Sequence, residues 1–397
     1  MGGAMNDIIE RLGRRLRLGV VGGGPGSFIG PVHRTAARLD DCYDIAASVL
    51  SSDPARSKAG AAAIGLDPSR AYGSVPEMLD AEADRDDGID VLAVMTPNDT
   101  HYPMSCMALE RGLDVVCDKP LTTALDDALD LAARVRASGL VFCTTYNYTG
   151  YPMVRQARAM VEDGTIGEIR MVQVEYIQPS LAVLKDAEKT GTGAPWRMDP
   201  AKAGPSLILG DIGSHAHHMA CFVTAQEVEA VSARVGAVVP GRRVDDCAMA
   251  QLKFEGGAWG TFWVTNAAAG AEHGLKFRIF GANGGLEWFQ ENPNYLRHMP
   301  LDGPVRTLAR GGPGLSPAAE EATRLKIGHP EGYQEAFATL YREVAEAVVA
   351  RRIDGVYRPE TWRFPTVEDG ARGVGFIEAA KRSSAADGVW TDARIGF

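Results

Sequence analysis

The sequence has no excess of basic charge. Its 397 residues include 41 lysine and arginine residues against 51 aspartate and glutamate residues, which gives a formal net charge of −10. Nucleic acids and anionic membrane surfaces attract proteins with a basic surface. The charge balance therefore argues against either of them as the main partner of this chain.

Long hydrophobic runs and paired cysteines are also missing. No stretch approaches the roughly 18 consecutive apolar residues of a membrane-spanning helix. Residues 1–15 contain no apolar segment of the kind that a secretory signal needs. The six cysteines form no C-x-x-C pair, which excludes a zinc knuckle and a dithiol redox motif. This cysteine usage is typical of a reducing compartment, so we expect a cytoplasmic location.

The composition is that of a globular protein, with 45% hydrophobic residues and a length that suggests two large domains at about 150 residues each. We expect residues 1–15 to form a flexible leader or a short helix. Residues 16–145 alternate between helical patterns and short apolar runs. These runs predict strands at Leu16–Val21, Ile45–Leu50, Val91–Met95, Val115–Cys117 and Leu140–Thr144. Strands that alternate with helices indicate an α/β domain with a parallel sheet covered on both faces.

The pattern changes near residue 146. Long strands of alternating polarity are predicted at 170–178, 228–239, 248–254, 258–264 and 275–280. We therefore predict that residues 146–397 form an α+β domain with a large, mostly antiparallel open sheet. Residues 292–314 are rich in proline and glycine and are predicted to form a long loop, and residues 333–349 an amphipathic helix.

A glycine-rich segment, Gly22-Gly23-Gly24-Pro25-Gly26-Ser27-Phe28-Ile29-Gly30, follows the first predicted strand. Glycines let the chain turn sharply into a helix and let the backbone approach a pyrophosphate, while the helix N-terminus offers N–H groups to the anion. The G-x-G-x-x-G pattern would place a third glycine at Ser27, so the loop is lengthened here, with Gly30 as the packing glycine. The predicted cofactor contacts are Gly22, Gly24, Gly26, Ser27, Phe28 and Ile29. The alternative is a glycine-rich turn without a ligand.

The end of the second predicted strand bears on the choice between NAD and NADP. An NAD enzyme usually has an acidic residue there for the ribose hydroxyls, but this chain has Ser51 and Ser52, followed by Asp53 and Arg56. Ser51 and Arg56 could hold a 2′-phosphate, which favours NADP. Asp53 could instead reach the ribose and favour NAD, and Arg56 could be a solvated helix residue.

Three further motifs stand in the chain. They are Thr96-Pro97-Asn98-Asp99-Thr100-His101, Asp118-Lys119-Pro120-Leu121 and Gly210-Asp211-Ile212-Gly213-Ser214-His215. Together with the glycine-rich segment they resemble the motifs of the Gfo/Idh/MocA oxidoreductases, which include glucose–fructose oxidoreductase and inositol dehydrogenase. The resemblance covers nearly the whole chain. It implies a Rossmann domain followed by an open-sheet domain, and reversible oxidation of a secondary alcohol of a sugar or cyclitol by NAD(P).

The resemblance also assigns residues. Lys119 matches the lysine of the family's Glu-Lys-Pro motif, with Asp118 in place of the glutamate and with Pro120 fixing an extended or cis backbone. Asp211 and His215 match the family's D-x-x-x-H pair. His218 stands where the family often has an acid, which leaves its role open. The resemblance adds cofactor contacts at Thr96, Pro97, Asn98, His101, Asp118 and Lys119; packing or a helix-start position is the alternative for His101.

The chemistry of the catalytic residues can also be argued without the family. Hydride leaves a carbinol carbon only as the hydroxyl proton is removed, and histidine is the usual base near pH 7. A carboxylate four residues earlier on a helix can fix the histidine tautomer, and an ammonium group stabilises the developing alkoxide. Lys119, Asp211 and His215 supply these three parts. Capping of a helix is the alternative role of Asp211, and a metal site with His215 and His218 is an alternative that we do not adopt.

Four residues are candidates for binding the substrate: Tyr148, Trp196, Arg197 and His218. An indole can stack on a sugar face and a guanidinium can donate to hydroxyl groups. The alternatives are a core position for Tyr148 and loop anchoring for Trp196 and Arg197.

The sequence thus predicts an NAD(P)-dependent dehydrogenase that acts on a secondary hydroxyl of a sugar, glycoside or cyclitol. The alternatives are a carbonyl reductase, an oxidoreductase that retains its cofactor, and a catalytically silent dinucleotide sensor. Trp259, Phe262 and Trp263 place large apolar groups on both faces of one strand. The uncovered face of the second sheet would then be apolar, which predicts a homodimer, or a homotetramer built from such dimers.

Overall fold

The computed structural model describes residues 6–185 and 195–397, which belong to two compact units. The first unit comprises the described part of Met1–Thr122 together with Asp126–Asn147 and Gln334–Gly370. The second comprises Thr123–Leu125, the described part of Tyr148–Tyr333, and Ala371–Phe397.

The first unit is built around a parallel sheet. Its strands are β1 (Leu16–Gly22), β2 (Tyr43–Val49), β3 (Val91–Met95), β4 (Asp114–Cys117) and β5 (Phe142–Thr144). The helices that begin or lie in it are α1 (Asp7–Leu12), α2 (Ile29–Leu39), α3 (Pro54–Ala63), α4 (Val75–Ala83), α5 (His101–Glu110), α6 (Leu125–Ser138), α11 (Tyr333–Val349) and α12 (Val367–Ala385), the last of which continues into the second unit.

The order of strands in this sheet is β2-β1-β3-β4-β5, and every pair is parallel. An isolated parallel bridge joins Ser48 of β2 to Ala71. With Ala71 counted as the third strand, this is the order 3-2-1-4-5-6 of the Rossmann fold. Strands β3 and β4 are buried along their whole length, as expected of a parallel sheet covered on both faces. The predicted α/β fold class is confirmed.

The second unit contains a larger sheet. Its strands are β6 (Ile169–Ile177), β7 (Val228–Gly236), β8 (Cys247–Phe254), β9 (Trp259–Thr265), β10 (Gly274–Gly281), β11 (Gly284–Phe289), β12 (Tyr295–Pro300), β13 (Arg306–Ala309) and β14 (Thr391–Asp392). Its helices are α7 (Pro152–Glu162), α8 (Pro200–Ala203), α9 (Ser214–Thr224) and α10 (Pro317–Ala322). The order is β13-β12-β11-β10-β6-β9-β8-β7-β14, and only the β6–β9 pair is parallel among these described strands.

The two faces of the second sheet differ. Helices α7 and α9 pack against one face, where Phe262 and Val264 of β9 are buried. The opposite face exposes Trp259 and Trp263 of the same strand. Alternation along β9 therefore separates a covered face from an open one.

The structure differs from the predicted domain boundaries. Residues 334–370 were predicted to belong to the second domain, but they belong to the first unit. Within that unit, the Tyr341 hydroxyl of α11 lies 2.8 Å from Nδ1 of His33, and its carbonyl accepts from Tyr43. The pattern of α11 shows that it has an apolar face, but not which part of the chain covers that face.

For residues 1–15 a flexible leader or a short helix was expected, and their described part contains the helix; the segment 292–314 is more ordered than predicted. Asp7–Leu12 forms the helix α1, and Arg14, which follows it, is paired with Asp90 at 2.6 Å. The predicted long loop at 292–314 contains β12 and β13. Its prolines and glycines include Pro293, Gly303 and Pro304, which lie in the connections around these short strands rather than inside them.

Among the residues that the structure describes, no helix combines the length and the apolar character that a bilayer crossing requires.

Candidate active site

The glycine-rich segment forms a tight turn between β1 and α2. Gly22 and Gly26 have φ angles of 82° and 88°, a region that residues with a Cβ rarely adopt. A Cβ on Gly30 would lie 1.8 Å from the carbonyl oxygen of Gly23, and a Cβ on Gly24 would lie 2.5 Å from that of Leu50. Gly30 is therefore the position where α2 packs closely on the turn.

The start of α2 is suited to an anion. Phe28 occupies the N-cap position with its ring 73% exposed, and a ring cannot cap the first N–H groups of the helix. Ser27 Oγ accepts only a long hydrogen bond, 3.4 Å, from the Gly30 amide. The Arg34 guanidinium stabilises the turn by donating to the Gly23 carbonyl at 2.7 Å. Residues 22–29 thus fit a pyrophosphate against the helix N-terminus that Ile29 begins.

The residues after β2 are partly committed to the next helix. The Asp53 carboxylate caps α3 by accepting from the Arg56 amide at 2.7 Å. Ser51 Oγ accepts from the Asp53 amide at 3.1 Å. The side chains of Ser52 and Arg56 are exposed. Asp53 therefore has a structural role of its own, and Arg56 is accessible to a ligand.

Hydrogen bonds between its own residues stabilise the turn after β3. Thr100 donates to the Pro97 carbonyl at 2.7 Å and lies 2.7 Å from the Thr96 hydroxyl. His101 is buried, with Nδ1 2.8 Å from the Pro120 carbonyl oxygen and Nε2 3.0 Å from that of Thr96. Asn98 is buried in the same turn. Both nitrogens of His101 thus face protein oxygens, and the ring connects this turn to the loop after β4.

That loop carries Lys119. The Asp118 amide donates to the Val94 carbonyl at 2.8 Å, and its carboxylate accepts from the Thr145 hydroxyl at 2.7 Å and from the Lys119 amide at 3.1 Å. The Lys119–Pro120 peptide bond is cis. Because β1, β2, β3 and β4 are parallel, the glycine turn and these loops lie at one edge of the sheet, around the β1–β3 switch point.

In the second unit, Asp211 lies in a π-helical turn, Leu209–Gly213, that runs directly into α9. Asp211 therefore lies inside a continuous helical segment, and the residue before α9 is Gly213, so Asp211 does not occupy the N-cap position considered for it. Asn266 donates to Asp211 Oδ2 at 3.1 Å, and the Asn266 amide oxygen accepts from Gln178 at 2.6 Å. This chain fixes the amide so that its NH₂ group faces the carboxylate. π turns inside helices recur at functional sites.

His215 follows on α9 in a cluster of aromatic rings. Its ring centroid lies 4.8 Å from that of Tyr148 and 6.4 Å from that of Tyr176. The two tyrosine hydroxyls are 2.6 Å apart, and burial raises the pKa of Tyr148 well above its usual value. Tyr333 lies edge-on to Tyr148 at 6.0 Å. The structure thus brings Tyr148, a predicted substrate residue, next to the predicted base.

Sequence reasoning missed Tyr176, Tyr333 and Asn266. Tyr176 shares the covered face of β6 with Val172 and Val174, so its alternation predicts only a core residue. Asn266 follows β9 directly, and a polar residue at a strand end was the one available signal.

The other predicted residues lie elsewhere in the second unit. His218 is buried with its ring 6.1 Å from that of Phe222. The Arg197 guanidinium lies over the Trp196 ring at 5.6 Å, so these two side chains contact each other. His217 is stacked on Phe376 at 4.3 Å, and burial lowers its pKa to about 3. Within residues 6–185 and 195–397, no group of three or more His, Cys, Asp or Glu side chains is placed to hold a metal ion.

The first unit has the turn, the helix start and the strand-end loops of a dinucleotide-binding domain. The second has a carboxylate and an imidazole, Asp211 and His215, in one continuous helical segment, and these are side chains of the types that proton transfer uses. Together they define a dinucleotide-dependent oxidoreductase. The family described as "Oxidoreductase family, NAD-binding Rossmann fold" matches residues 16–146, and the "GFO/IDH/MocA C-terminal domain" matches residues 154–287. The chain belongs to the Gfo/Idh/MocA family.

Similar proteins span the chain almost completely. The oxidoreductase YfiI of Bacillus subtilis (strain 168) is 33% identical over 96% of this chain and 98% of its own length. The crystal structure of an oxidoreductase from Sinorhizobium meliloti is 44% identical with a TM-score of 0.85, covering 96% and 100% of the two chains. An inositol dehydrogenase homologue from Azotobacter vinelandii complexed with NADH and myo-inositol is 36% identical with a TM-score of 0.88, covering 96% and 98%.

Proposed function

We propose that this chain is an NAD(P)-dependent dehydrogenase that reversibly oxidises a secondary hydroxyl group of a sugar, glycoside or cyclitol. The observation that carries the proposal is that Asp211, bound by Asn266, and His215, packed against the buried Tyr148, lie in one continuous helical segment. The other unit of the chain presents Lys119 at the edge of the parallel sheet that bears the glycine turn. A silent dinucleotide sensor would need none of these three side chains.

Each of the three residues has a distinct role in the proposed reaction. His215 takes the proton of the substrate hydroxyl, since an imidazole is a suitable base near pH 7. Asp211, oriented by Asn266, favours the tautomer that leaves the reacting nitrogen free and stabilises the charged ring. Lys119 donates to the reacting oxygen, where negative charge develops. A bound nicotinamide would accept the hydride.

The substrate class is supported by two observations. The Azotobacter vinelandii homologue, 36% identical, binds myo-inositol. In this chain, the rings around His215 offer apolar surface of the kind that packs on the C–H face of a sugar or cyclitol. We place Tyr148 at that surface, and Trp196, Arg197 and His218 remain proposed substrate contacts.

The preference between NAD and NADP is a separate part of the proposal. Arg56, which is exposed, and Ser51, which is half-buried, favour NADP, and the engagement of Asp53 as a helix cap takes one of its oxygens away from a ribose. The NADH-bound Azotobacter vinelandii homologue favours NAD.

A direct assay tests the activity. The purified protein is mixed with NAD or NADP and a panel of inositols, aldoses and glycosides, and the absorbance of reduced nicotinamide is followed. We expect turnover with at least one cyclitol or sugar. Turnover only with ketones and NADPH would make the protein a carbonyl reductase. Dinucleotide binding without turnover in either direction would favour the sensor.

We also propose that the protein forms a homodimer, or a tetramer of such dimers, through the open face of the second sheet. Met171, Met249, Trp259 and Trp263 lie on neighbouring strands of that face with 38–70% of their surface exposed. We call these four residues the open-face patch. Trp259 is directly opposite Met171, and Trp263 is directly opposite Met249. A second copy would cover this patch by an isologous contact. A cytoplasmic location is proposed from the six free cysteines.

A further inference from the structure

His33 is a buried polar residue of the first unit that the proposed reaction does not use. It lies on α2 and is completely buried. Its Nδ1 is 2.8 Å from the Tyr341 hydroxyl, and its Nε2 is 4.0 Å from Asp118 Oδ1. Its ring also packs on Phe337 at 5.0 Å between centroids. One edge of the ring is thus bound to α11, and the other faces the carboxylate beside Lys119.

The charges around the ring determine its tautomer. Burial lowers the pKa of His33, as does Arg34 to a smaller extent, while Asp118 acts in the opposite direction. The imidazole is therefore neutral and carries one N–H. If that proton were on Nδ1, the lone pair of Nε2 would face the Asp118 carboxylate, and two acceptors would repel each other.

The other tautomer is compatible with both neighbours. Burial keeps the Tyr341 phenol protonated by raising its pKa, so its hydroxyl can donate to Nδ1. The imidazole proton then lies on Nε2 and is directed at Asp118. At 4.0 Å the contact is too long for a hydrogen bond, but electrostatic attraction is strong in such a buried environment.

Asp118 transmits this attraction to the loop of Lys119. Its Oδ1 atom accepts from the Lys119 amide and from Thr145, and it is the oxygen that faces His33. The carboxylate side chain is only 15% exposed. Two hydrogen-bond donors and the His33 ring thus converge on one oxygen, and the backbone of Lys119 is held through that oxygen.

We propose that His33 is a positioning residue for Lys119, acting through Asp118 with its tautomer set by Tyr341. Because His33 is part of α2, it also ties the loop of Lys119 to the helix that follows the glycine turn. This inference rests on the proposed function for the role of Lys119, whereas the His33–Asp118 contact is independent of it.

The tautomer can be measured on the unmodified protein. In a histidine-labelled sample, ¹⁵N NMR distinguishes a protonated from an unprotonated ring nitrogen. The resonances of His33 are identified by their absence from the spectrum of His33→Leu or, if that variant does not fold, of His33→Gln. We expect them to show the ring proton on Nε2 near pH 7. Asp118→Asn should shift these resonances. A proton on Nδ1, or no response to Asp118→Asn, would overturn the proposal.

Kinetics test the positioning role. His33→Leu keeps a similar volume but removes both nitrogens, and its kcat per dinucleotide-binding site should fall on the order of 10- to 100-fold with dinucleotide affinity unchanged, since small displacements of a reacting group are this costly. His33→Gln, whose amide nitrogen can replace Nε2, should recover part of the rate. Tyr341→Phe should cause a smaller loss.

A double-mutant comparison separates positioning from a general effect on the fold. In the Lys119→Ala background, His33→Leu should cause no further loss, because both substitutions remove the same interaction. An equal loss in both backgrounds would show that His33 does not act through Lys119. If Lys119→Ala retains full turnover, the proposed function fails. If Lys119→Ala is impaired and His33→Leu is not, only this inference fails.

Discussion

The two sheets differ in which of their surfaces are covered by the rest of the protein and in where their site residues lie. In the parallel sheet of the first unit, β3 and β4 are buried along their whole length, and the predicted site residues of this unit lie in the loops at the carboxyl ends of the strands. The nine-stranded sheet of the second unit has one covered and one open face. Of its site residues, Tyr176, His215 and Asn266 come from β6, α9 and the end of β9, and none of these three lies on the open face.

This difference determines how each set of site residues is encoded. In the first unit, a strand end followed by a short motif such as Asp118-Lys119-Pro120 is enough to locate the predicted site residues. In the second, Tyr148, Tyr176, His215 and Asn266 are far apart in the sequence and meet only after the sheet has formed. A substitution of a site residue in the first unit should therefore affect one interaction with cofactor or substrate. A substitution in the second unit should disturb several contacts between side chains at once.

The largest effect is expected from Lys119→Ala. Removing one group that stabilises a developing negative charge typically lowers turnover by about 10²- to 10³-fold. Dinucleotide affinity should fall much less than turnover, because Lys119 is only one of the predicted cofactor contacts and the proposed phosphate contacts lie in the glycine turn. Steady-state kinetics and a fluorescence titration with the dinucleotide measure the two quantities. Lys58→Ala, an exposed lysine on α3 of the same unit, is the matched control, and turnover equal to that control would remove Lys119 from the catalytic assignment.

The open-face patch gives the next effect. Replacing both Trp259 and Trp263 with lysine removes two large aromatic groups from each copy and buries charge in their place. A contribution of about 0.7 kcal/mol from each of the four tryptophans in a dimer amounts to about 2.8 kcal/mol, so dimerisation should weaken by about 100-fold or more. Light scattering at micromolar concentration should show a 42.4 kDa monomer for the variant only. Leu301→Lys, exposed between β12 and β13, should leave assembly intact; a monomeric parent protein would end the proposal.

Cofactor preference is tested at the end of β2. If Arg56 holds a 2′-phosphate, Arg56→Ala should weaken NADP by roughly 10- to 100-fold, the loss expected for one charged hydrogen bond, and leave NAD nearly unchanged. Lys58→Ala again serves as the control on the same helix. Equal effects on the two cofactors would mean that Arg56 is a solvated helix residue.

The smallest expected effect is a pH-dependent loss of stability that comes from His217, and it differs between the buried histidines of the two units. Burial lowers the pKa of His217 to about 3, with His218 and Arg372 adding to the shift, whereas Asp118 opposes it at His33. Between pH 6.5 and 3 the unfolded state binds a proton at residue 217 that the folded state does not, so stability falls as the pH falls. From pH 7 to 5 we expect a loss of about 2 kcal/mol from this residue.

Urea denaturation at the two pH values measures that loss. His217→Leu should reduce the pH dependence, while His273→Leu, at an exposed position, should leave it unchanged. The same pH dependence in His217→Leu and the parent protein would contradict the expectation.

The sequence was sufficient for the parts of the molecule that depend on local pattern. The five strands of the first sheet and α11 follow from periodicity, and the role of Gly30 follows from the spacing of the glycines. It was insufficient where the structure depends on contacts between distant parts of the chain. The pattern of α11 predicts an apolar face but not the residues that cover it. In residues 292–314, the prolines and glycines obscure the pattern of β12 and β13.

The π-helical turn at Asp211 is a further example. An i, i+4 argument assumes an α-helix, and no residue type in Leu209–Gly213 indicates the wider turn. The partner of Asp211, Asn266, comes from the end of β9, so its contribution became visible only with the sheet assembled.

The strands at the sheet edges have a consequence for aggregation. The first sheet ends on one side at the single bridging residue Ala71 and on the other at the three-residue β5, whose Thr144 amide already donates to Pro365. The second ends at the two-residue β14 and the four-residue β13. Edges this short offer few unpaired amide groups to a strand from another molecule. These short terminal strands are therefore poor templates for pairing with a strand of another molecule.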